Sequence, residues 1–368
     1  MHKTILFLLN WECFQLPPFM AILDSLCEDY DLKVVNVETE ENRKRLSMIY
    51  KGRKVEFLGC SEPDTSLAFI DRVKRKLKKI LPIKTSFYKK AVRIIDTTPY
   101  DLLWVIHENT LCEFRDYLKG KNYITSIYEL RDDQPKIRKM MKDPLVHAKE
   151  VIVAEYNRGC IFRVWFKLPQ TPTVIPNKPF LHPRIKNIEN RYSDLLKNKN
   201  IILYQGGINE QRKLDVICRA VSRIEGWTLV LMGGRSLYRD KLQREFPNII
   251  CIDFVAPPKH LEITSYAKIG IVKYDYTYLN HAYCAPNKIW EYTGFGIPIL
   301  GNDLPGLEYT VGKYQAGEFV NTDDENEVEN AIKKISENYD QYSLNAQKFY
   351  NSVDIKEELN RIVERNID

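Results

Sequence analysis

The chain has 368 residues, 44% of them hydrophobic and 28% charged, with a formal net charge of +6. This length suggests two domains of ordinary size, and this composition is that of a soluble globular protein with real cores. No apolar stretch approaches the length needed to span a bilayer. The cysteines at 13, 27, 60, 112, 160, 218, 251 and 284 are scattered, with no Cys-x-x-Cys pair and no Cys/His cluster. That argues against a zinc site and for reduced, buried thiols in a cytoplasmic protein.

From the start of the chain, Lys3 precedes the run Ile5-Leu6-Phe7-Leu8-Leu9. The run is too short for a signal-peptide core and predicts a first strand over residues 4–9. A helix follows over 18–27, with Phe19, Ile22, Leu23 and Leu26 on one face, then a strand over 32–37. Strand, loop, helix, strand is the opening of a parallel α/β sheet. The first loop carries no Gly-x-Gly-x-x-Gly, so a dinucleotide fingerprint is absent.

Residues 70–93 are basic and amphipathic. Arg72, Lys74, Arg75, Lys76, Lys78, Lys79, Lys84, Lys89, Lys90 and Arg93 occur without an acidic residue after Asp71. Ile70, Val73, Leu77, Ile80 and Leu81 recur at helical spacing, and Phe87 and Tyr88 follow. Such a segment suits an anionic membrane surface. The competing readings are an ordinary helix with its charge in water and a nucleic-acid patch. No recognised nucleic-acid module accompanies it, so no nucleic-acid partner is expected.

Strands are predicted over 101–106 and 123–128, ending in His107-Glu108-Asn109 and in Glu129-Leu130-Arg131-Asp132-Asp133. Polar groups past the carboxyl ends of parallel strands lie where such sheets bind ligands. A short strand over 151–153 and a helix through Phe166 lead to Val174-Ile175-Pro176-Asn177. The polar stretch 182–199 reads as a linker, which puts a domain boundary near 180. The α/β pattern then restarts. A strand over 200–204 meets the turn Gln205-Gly206-Gly207, residues 208–213 lead into a helix running to about 224, and a strand over 227–232 ends at Gly233-Gly234. Further strands fall over 249–254, 269–272, 297–300 and 318–320, and a last helix over 355–366.

The most specific stretch is residues 285–300. Pro286 suits the first helical position, with Asn287 and Lys288 in the first turn, Glu291 one turn below, and Gly294 and Gly296 ending the helix. Free N–H groups at a helix start attract phosphate, Lys288 adds to that field, and Glu291 can accept from two neighbouring hydroxyls such as those of a ribose. Gly206 and Gly207 allow close approach of backbone to a phosphate, and Arg212, with Lys213 as neighbour, can contact the same group. Gly233 and Gly234 end a strand at that edge, although a simple turn accounts for them equally.

The string Pro286-Asn287-Lys288-x-x-Glu291-Tyr292-x-x-x-Gly296-x-Pro298 resembles the nucleotide-sugar motif of GT-B glycosyltransferases, especially the large retaining family four. The turn at Gly206-Gly207 with Arg212, and Val174-Ile175-Pro176-Asn177, are similar to that family's diphosphate turn and pre-linker segment. The resemblance implies two doubly wound Rossmann-like domains facing across a cleft. Residues 1–180 would bind the acceptor, 181–350 the nucleotide sugar, and 351–368 would pack back towards the first domain. It also implies nucleotide-sugar contacts at Gly206, Gly207, Arg212, Gly233, Pro286, Asn287, Lys288 and Glu291, with Glu291 on the ribose. The family's earlier glutamate, eight positions before, is here Tyr283, and the family's histidine after the strand ending at Tyr128 is here Glu129.

The expected activity is transfer of a hexosyl group from a nucleotide-diphosphate sugar to a lipid-linked or polysaccharide acceptor, with retention of configuration and without a metal or other cofactor. Arg212 and Lys288 would stabilise the leaving diphosphate, with Glu129, Asp132 or His107 as a base if the enzyme inverts. The alternatives are a nucleotide-sugar 2-epimerase and a non-catalytic GT-B partner protein. The enzyme is expected in the cytoplasm, on the inner face of the plasma membrane through residues 70–93.

Overall fold

The computed structural model describes residues 2–59 and 86–367. The chain divides into two compact units, Met1–Pro176 with Ile355–Asp368, and Asn177–Asp354.

The first unit is built on a parallel seven-stranded sheet. Its strands are β1 (Thr4–Leu9), β2 (Asp31–Asn36), β3 (Val55–Phe57), β4 (Leu102–Ile106), β5 (Ile124–Ile127), β6 (Glu150–Val153) and β7 (Thr173–Val174), in the order β3-β2-β1-β4-β5-β6-β7. Ile5 to Leu9 are all fully buried because helices cover both faces of the central strands. Phe87, Tyr88, Phe114, Met141 and Phe162 pack from the helices Ser86–Thr97, Glu108–Phe114, Pro135–His147 and Tyr156–Phe166 onto Leu6, Leu8, Leu103 and Val105.

Most of the basic segment 70–93 lies outside the described residues. Its last part begins the helix Ser86–Thr97, where Phe87, Tyr88 and Ala91 are buried and Lys89, Lys90 and Arg93 are exposed. Here the ordinary-helix reading holds. No described helix is long and apolar enough to cross a membrane.

The second unit repeats the plan with six parallel strands: β8 (Asn200–Gln205), β9 (Trp227–Gly233), β10 (Ile250–Asp253), β11 (Ala267–Val272), β12 (Ile299–Asn302) and β13 (Gly317–Val320). Their order is β10-β9-β8-β11-β12-β13. Both units are doubly wound Rossmann-like α/β layers, the fold class that the alternation of strands and helices implies. The strand order reverses between β8 and β11, which pair as Gly270 with Leu203 and Ile271 with Tyr204. Such a reversal opens a crevice past the carboxyl ends of the two strands.

Three local readings need correction. Pro286 is the N-cap, with φ −75° and ψ 139°, and the helix proper is Asn287–Thr293. Its extended ψ places it outside the helix, although its fixed φ suits either position. The helix is terminated by Gly296 alone. Ile297 N–H donates to Tyr292 C=O at 3.1 Å and Gly296 N–H to Thr293 C=O at 2.9 Å, with Gly296 at φ +66°. This is a Schellman cap. Gly294 keeps helical dihedrals, and its missing side chain instead makes room for the His182 ring, whose Cε1 lies 2.5 Å from where a Cβ would stand. The strand after it starts at Ile299, two residues later than its apolar run, because the cap consumes Ile297.

Residues 208–213 lead into a helix, as the sequence implies. A 3-10 turn, Glu210–Arg212, is separated from the helix Leu214–Ser222 by Lys213 at φ +44°.

Candidate functional site

The helix Asn287–Thr293 is docked on the sheet at its switch point. A Cβ on Gly270 would lie 2.4 Å from the Tyr292 ring, so glycine in β11 lets the helix sit close. The Tyr292 hydroxyl donates to Leu203 C=O at 3.0 Å, tying the helix to β8 as well. This seating aims Lys288 and Glu291, three residues apart on one face, past the carboxyl ends of β8 and β11.

Glu291 is held by two donors that the sequence did not single out as partners. Its Oε1 lies 3.1 Å from His260 Nε2, and its Oε2 accepts the side-chain amide of Gln205. Gln205 is itself oriented by Thr264, whose hydroxyl donates to Gln205 Oε1 at 2.8 Å. Burial pushes the Glu291 carboxyl up, but His260, Lys288 and Gln205 more than offset this and hold it below its ordinary value. The carboxylate is therefore ionised and fixed. Each oxygen keeps a lone pair free to accept a further hydroxyl, as a vicinal diol requires.

Around the glycine turn, Gly206 adopts φ +139°, a conformation strained for residues with side chains. The turn lies against Gly233, where a Cβ would stand 2.2 Å from Gly206 C=O. Gly233 thus packs behind the turn. Tyr204 closes it by donating to Gly207 C=O at 2.7 Å. Lys288 Nζ lies 3.1 Å from the position a Gly206 Cβ would take and 4.9 Å from the Tyr204 ring centre. Arg212 donates to Lys273 C=O at 3.0 Å, and its guanidinium stands 4.4 Å from the Tyr274 ring centre, while Lys288 Nζ is 5.8 Å from the same ring.

The break at Lys213 turns Arg212 and Lys213 in different directions. Lys213 Nζ pairs with Asp323 Oδ2 at 2.6 Å, so it is committed to structure. Among the described residues, neither Arg212 nor Lys288 has a carboxylate within salt-bridge distance. Burial, with Arg212 nearby, pushes the Lys288 ammonium down to about 8. A glycine turn, two cations and a fixed carboxylate converge at one sheet edge. That set can hold an anion beside a diol.

The first unit has its own polar cluster at the carboxyl ends of β4 and β5. His107, at φ +77°, caps the helix Glu108–Phe114 by accepting Asn109 N–H on Nδ1 at 3.2 Å, and stacks on Trp11 at 5.4 Å. Burial lowers its pKa, so it is neutral near pH 7. Glu108 is fully buried and is gripped by Arg131 Nη2 at 2.6 Å and Nε at 2.8 Å. Glu129 and Asp132 are half-buried in the loop just past β5. Of the sequence-predicted residues, then, Gly206, Gly207, Gly233, Arg212, Pro286, Asn287, Lys288 and Glu291 gather in the second unit, whereas Glu129 belongs to the first.

Residues 199–338 match the family described as glycosyl transferases group 1. No curated protein matches the sequence. Among solved structures, HepE of Anabaena in complex with UDP-glucose is similar at a TM-score of 0.73 and 13% identity, over 99% of each chain. The sucrose-phosphate synthase of Thermosynechococcus elongatus is similar at 0.68 and 16% identity, over 99% of this chain and 98% of that one. A Listeria monocytogenes protein named as a UDP-N-acetylglucosamine 2-epimerase is similar at 0.64 and 14% identity, over 99% and 95%. At these identities the likeness establishes the fold, and the fold is GT-B.

Proposed function

We propose that the chain is a glycosyltransferase that moves a hexosyl group from a nucleotide-diphosphate sugar, bound by the second unit, to a lipid-linked or polysaccharide acceptor. The observation that carries this reading is the convergence of Arg212, Lys288 and the Gly206-Gly207 turn beside the fixed carboxylate of Glu291. The match of residues 199–338 to glycosyl transferases group 1 supports it, and so do the solved structures with UDP-glucose and UDP.

In this mechanism Glu291 accepts the ribose hydroxyls, while the glycine turn and the two cations receive the diphosphate. As the bond from the sugar C1 to the diphosphate oxygen breaks, negative charge grows on the leaving group. Cations already in place meet it without rearrangement, which is usually the largest catalytic contribution. The acceptor oxygen forms the new bond to C1, and its proton passes to the departing diphosphate in a retaining reaction. In an inverting one the base comes from Glu129 or Asp132, and buried His107, already used as a helix cap, is the weakest of the three candidates.

The test is turnover of UDP- and GDP-sugars by the full chain, with free sugar, epimer and transferred sugar measured separately. Transfer or slow donor hydrolysis is expected, falling on the order of 10²-fold or more in Arg212→Ala. Conversion to a 2-epimer with no transfer supports instead the second reading, an epimerase, which the likeness to the Listeria protein favours. Nucleotide binding with none of these outcomes supports a non-catalytic partner. Pelleting with anionic vesicles tests the membrane contact assigned to residues 70–93.

A further inference from the structure

Four basic side chains crowd the edge of the second unit past β8 and β11, and they are held in two different ways. Lys273, only 3% exposed, donates to Thr322 C=O and Oγ1 at 2.8 Å each and pairs with Asp323 Oδ1 at 2.7 Å. Lys213 takes the other oxygen of the same Asp323 at 2.6 Å. One carboxylate thus ties down both ammoniums. Arg212 and Lys288 sit instead against tyrosine rings: Arg212 over Tyr274, and Lys288 between Tyr204 and Tyr274.

The difference matters for an incoming anion. A carboxylate partner cancels the field and competes with phosphate for the same N–H donors. An aromatic face holds a cation through its quadrupole and carries no net charge of its own. A ring therefore fixes direction without occupying the N–H donors that a phosphate needs. The rings are themselves anchored. Tyr274 follows directly on Lys273, and its backbone N–H donates to Asn302 Oδ1 at 3.0 Å. The Tyr204 hydroxyl is tied to Gly207 C=O. The Asp323 ion pairs hold Lys273, and Lys273 C=O in turn receives Arg212.

We propose that Tyr274, together with Tyr204, is a positioning residue that presents Arg212 and Lys288, neither of them salt-bridged among the described residues, to a diphosphate group and so favours nucleoside diphosphates over monophosphates. The proposal rests on the nucleotide-sugar reading of this site. It concerns the rings and not the hydroxyls, which makes it separable from a packing role.

The experiment is calorimetric titration of the full chain with UDP, GDP and ADP and with the matching monophosphates. Wild type is compared with Tyr274→Leu and Tyr274→Phe. The preference for diphosphate over monophosphate should fall at least several-fold in Tyr274→Leu, because the cations lose their support and the extra charge counts for less. It should persist within twofold in Tyr274→Phe, which keeps the ring. A leucine variant that weakens both ligands equally, leaving the ratio intact, overturns the proposal. Loss of the ratio in Tyr274→Phe also overturns it, and this arm stands even if Tyr274→Leu does not fold. Failure of wild type to bind any nucleotide removes the nucleotide-sugar reading itself, and this proposal with it. A bound nucleotide with an unaltered ratio removes only the role of the rings.

Discussion

Lys288 shows how a single residue couples folding to ligand binding. Its ammonium is buried beside Arg212 and titrates at about 8 against an ordinary 10.5. For a lysine lowered in the folded state, the protonated form is disfavoured by folding. Its unfavourable contribution is fully present below about pH 8 and disappears as pH rises towards 10.5. Diphosphate binding needs the protonated form, so it runs in the opposite direction. Affinity for a nucleoside diphosphate is expected to hold up to about pH 8 and then fall by up to about tenfold per pH unit. Lys288→Arg, which stays charged, should flatten that fall. Titrations between pH 7 and 10 check both, and a wild-type affinity constant to pH 10 contradicts the assignment. The residues of the 285–300 motif were legible because their spacing is local. Gln205, His260 and Tyr274 were not, since they reach Glu291 and the cations from 86, 31 and 14 residues away. Nothing local announces the pairing of Lys213, the neighbour of Arg212, with Asp323.

At the scale of elements, the boundaries that failed were those set by backbone caps. The motif's glycines marked a helix end correctly, but only the hydrogen bonds of Ile297 and Gly296 distinguish a terminator from a glycine that makes room for His182. The break at Lys213 has no sequence marker, because a lysine at positive φ costs energy that the Asp323 pair and the Arg212 contacts offset locally. The strands were read nearly in full, since buried parallel strands announce themselves as continuous apolar runs. The helix Ile355–Asn366 was legible from its apolar spacing, but its anchorage was not. Arg365 donates to Glu150 from Nε at 2.8 Å and also from Nη2, and Asn366 and Thr173 donate to the same carboxylate. Burial raises the Glu150 carboxyl, yet these donors outweigh it and leave it below its ordinary value. A lowered carboxyl contributes stability above its unfolded pKa and loses it on acidification. Arg365→Ala should therefore cost about 1–3 kcal/mol at pH 7 and less at an acid pH where Glu150 is protonated. Equal losses at both pH values, read from urea melts, contradict this account.

For the whole molecule, two sheets with separate cores imply two folding units, of which the second carries the proposed nucleotide site. The alternation of strands and helices made both doubly wound units legible, and the resemblance carried by the motif at 285–298 supplied the GT-B expectation. The acceptor was not legible, because the segments that suggested a membrane surface are a charge pattern and not a site. The most direct measurement is a thermal scan of the full chain with and without nucleoside diphosphates and their sugars. A ligand that binds only the folded state stabilises it by about 2.7 kcal/mol at a hundred times its dissociation constant. The account predicts a rise in melting temperature with one diphosphate series, lost in Glu291→Ala and in Arg212→Ala. No rise with any nucleotide, or a rise that survives both substitutions, contradicts it.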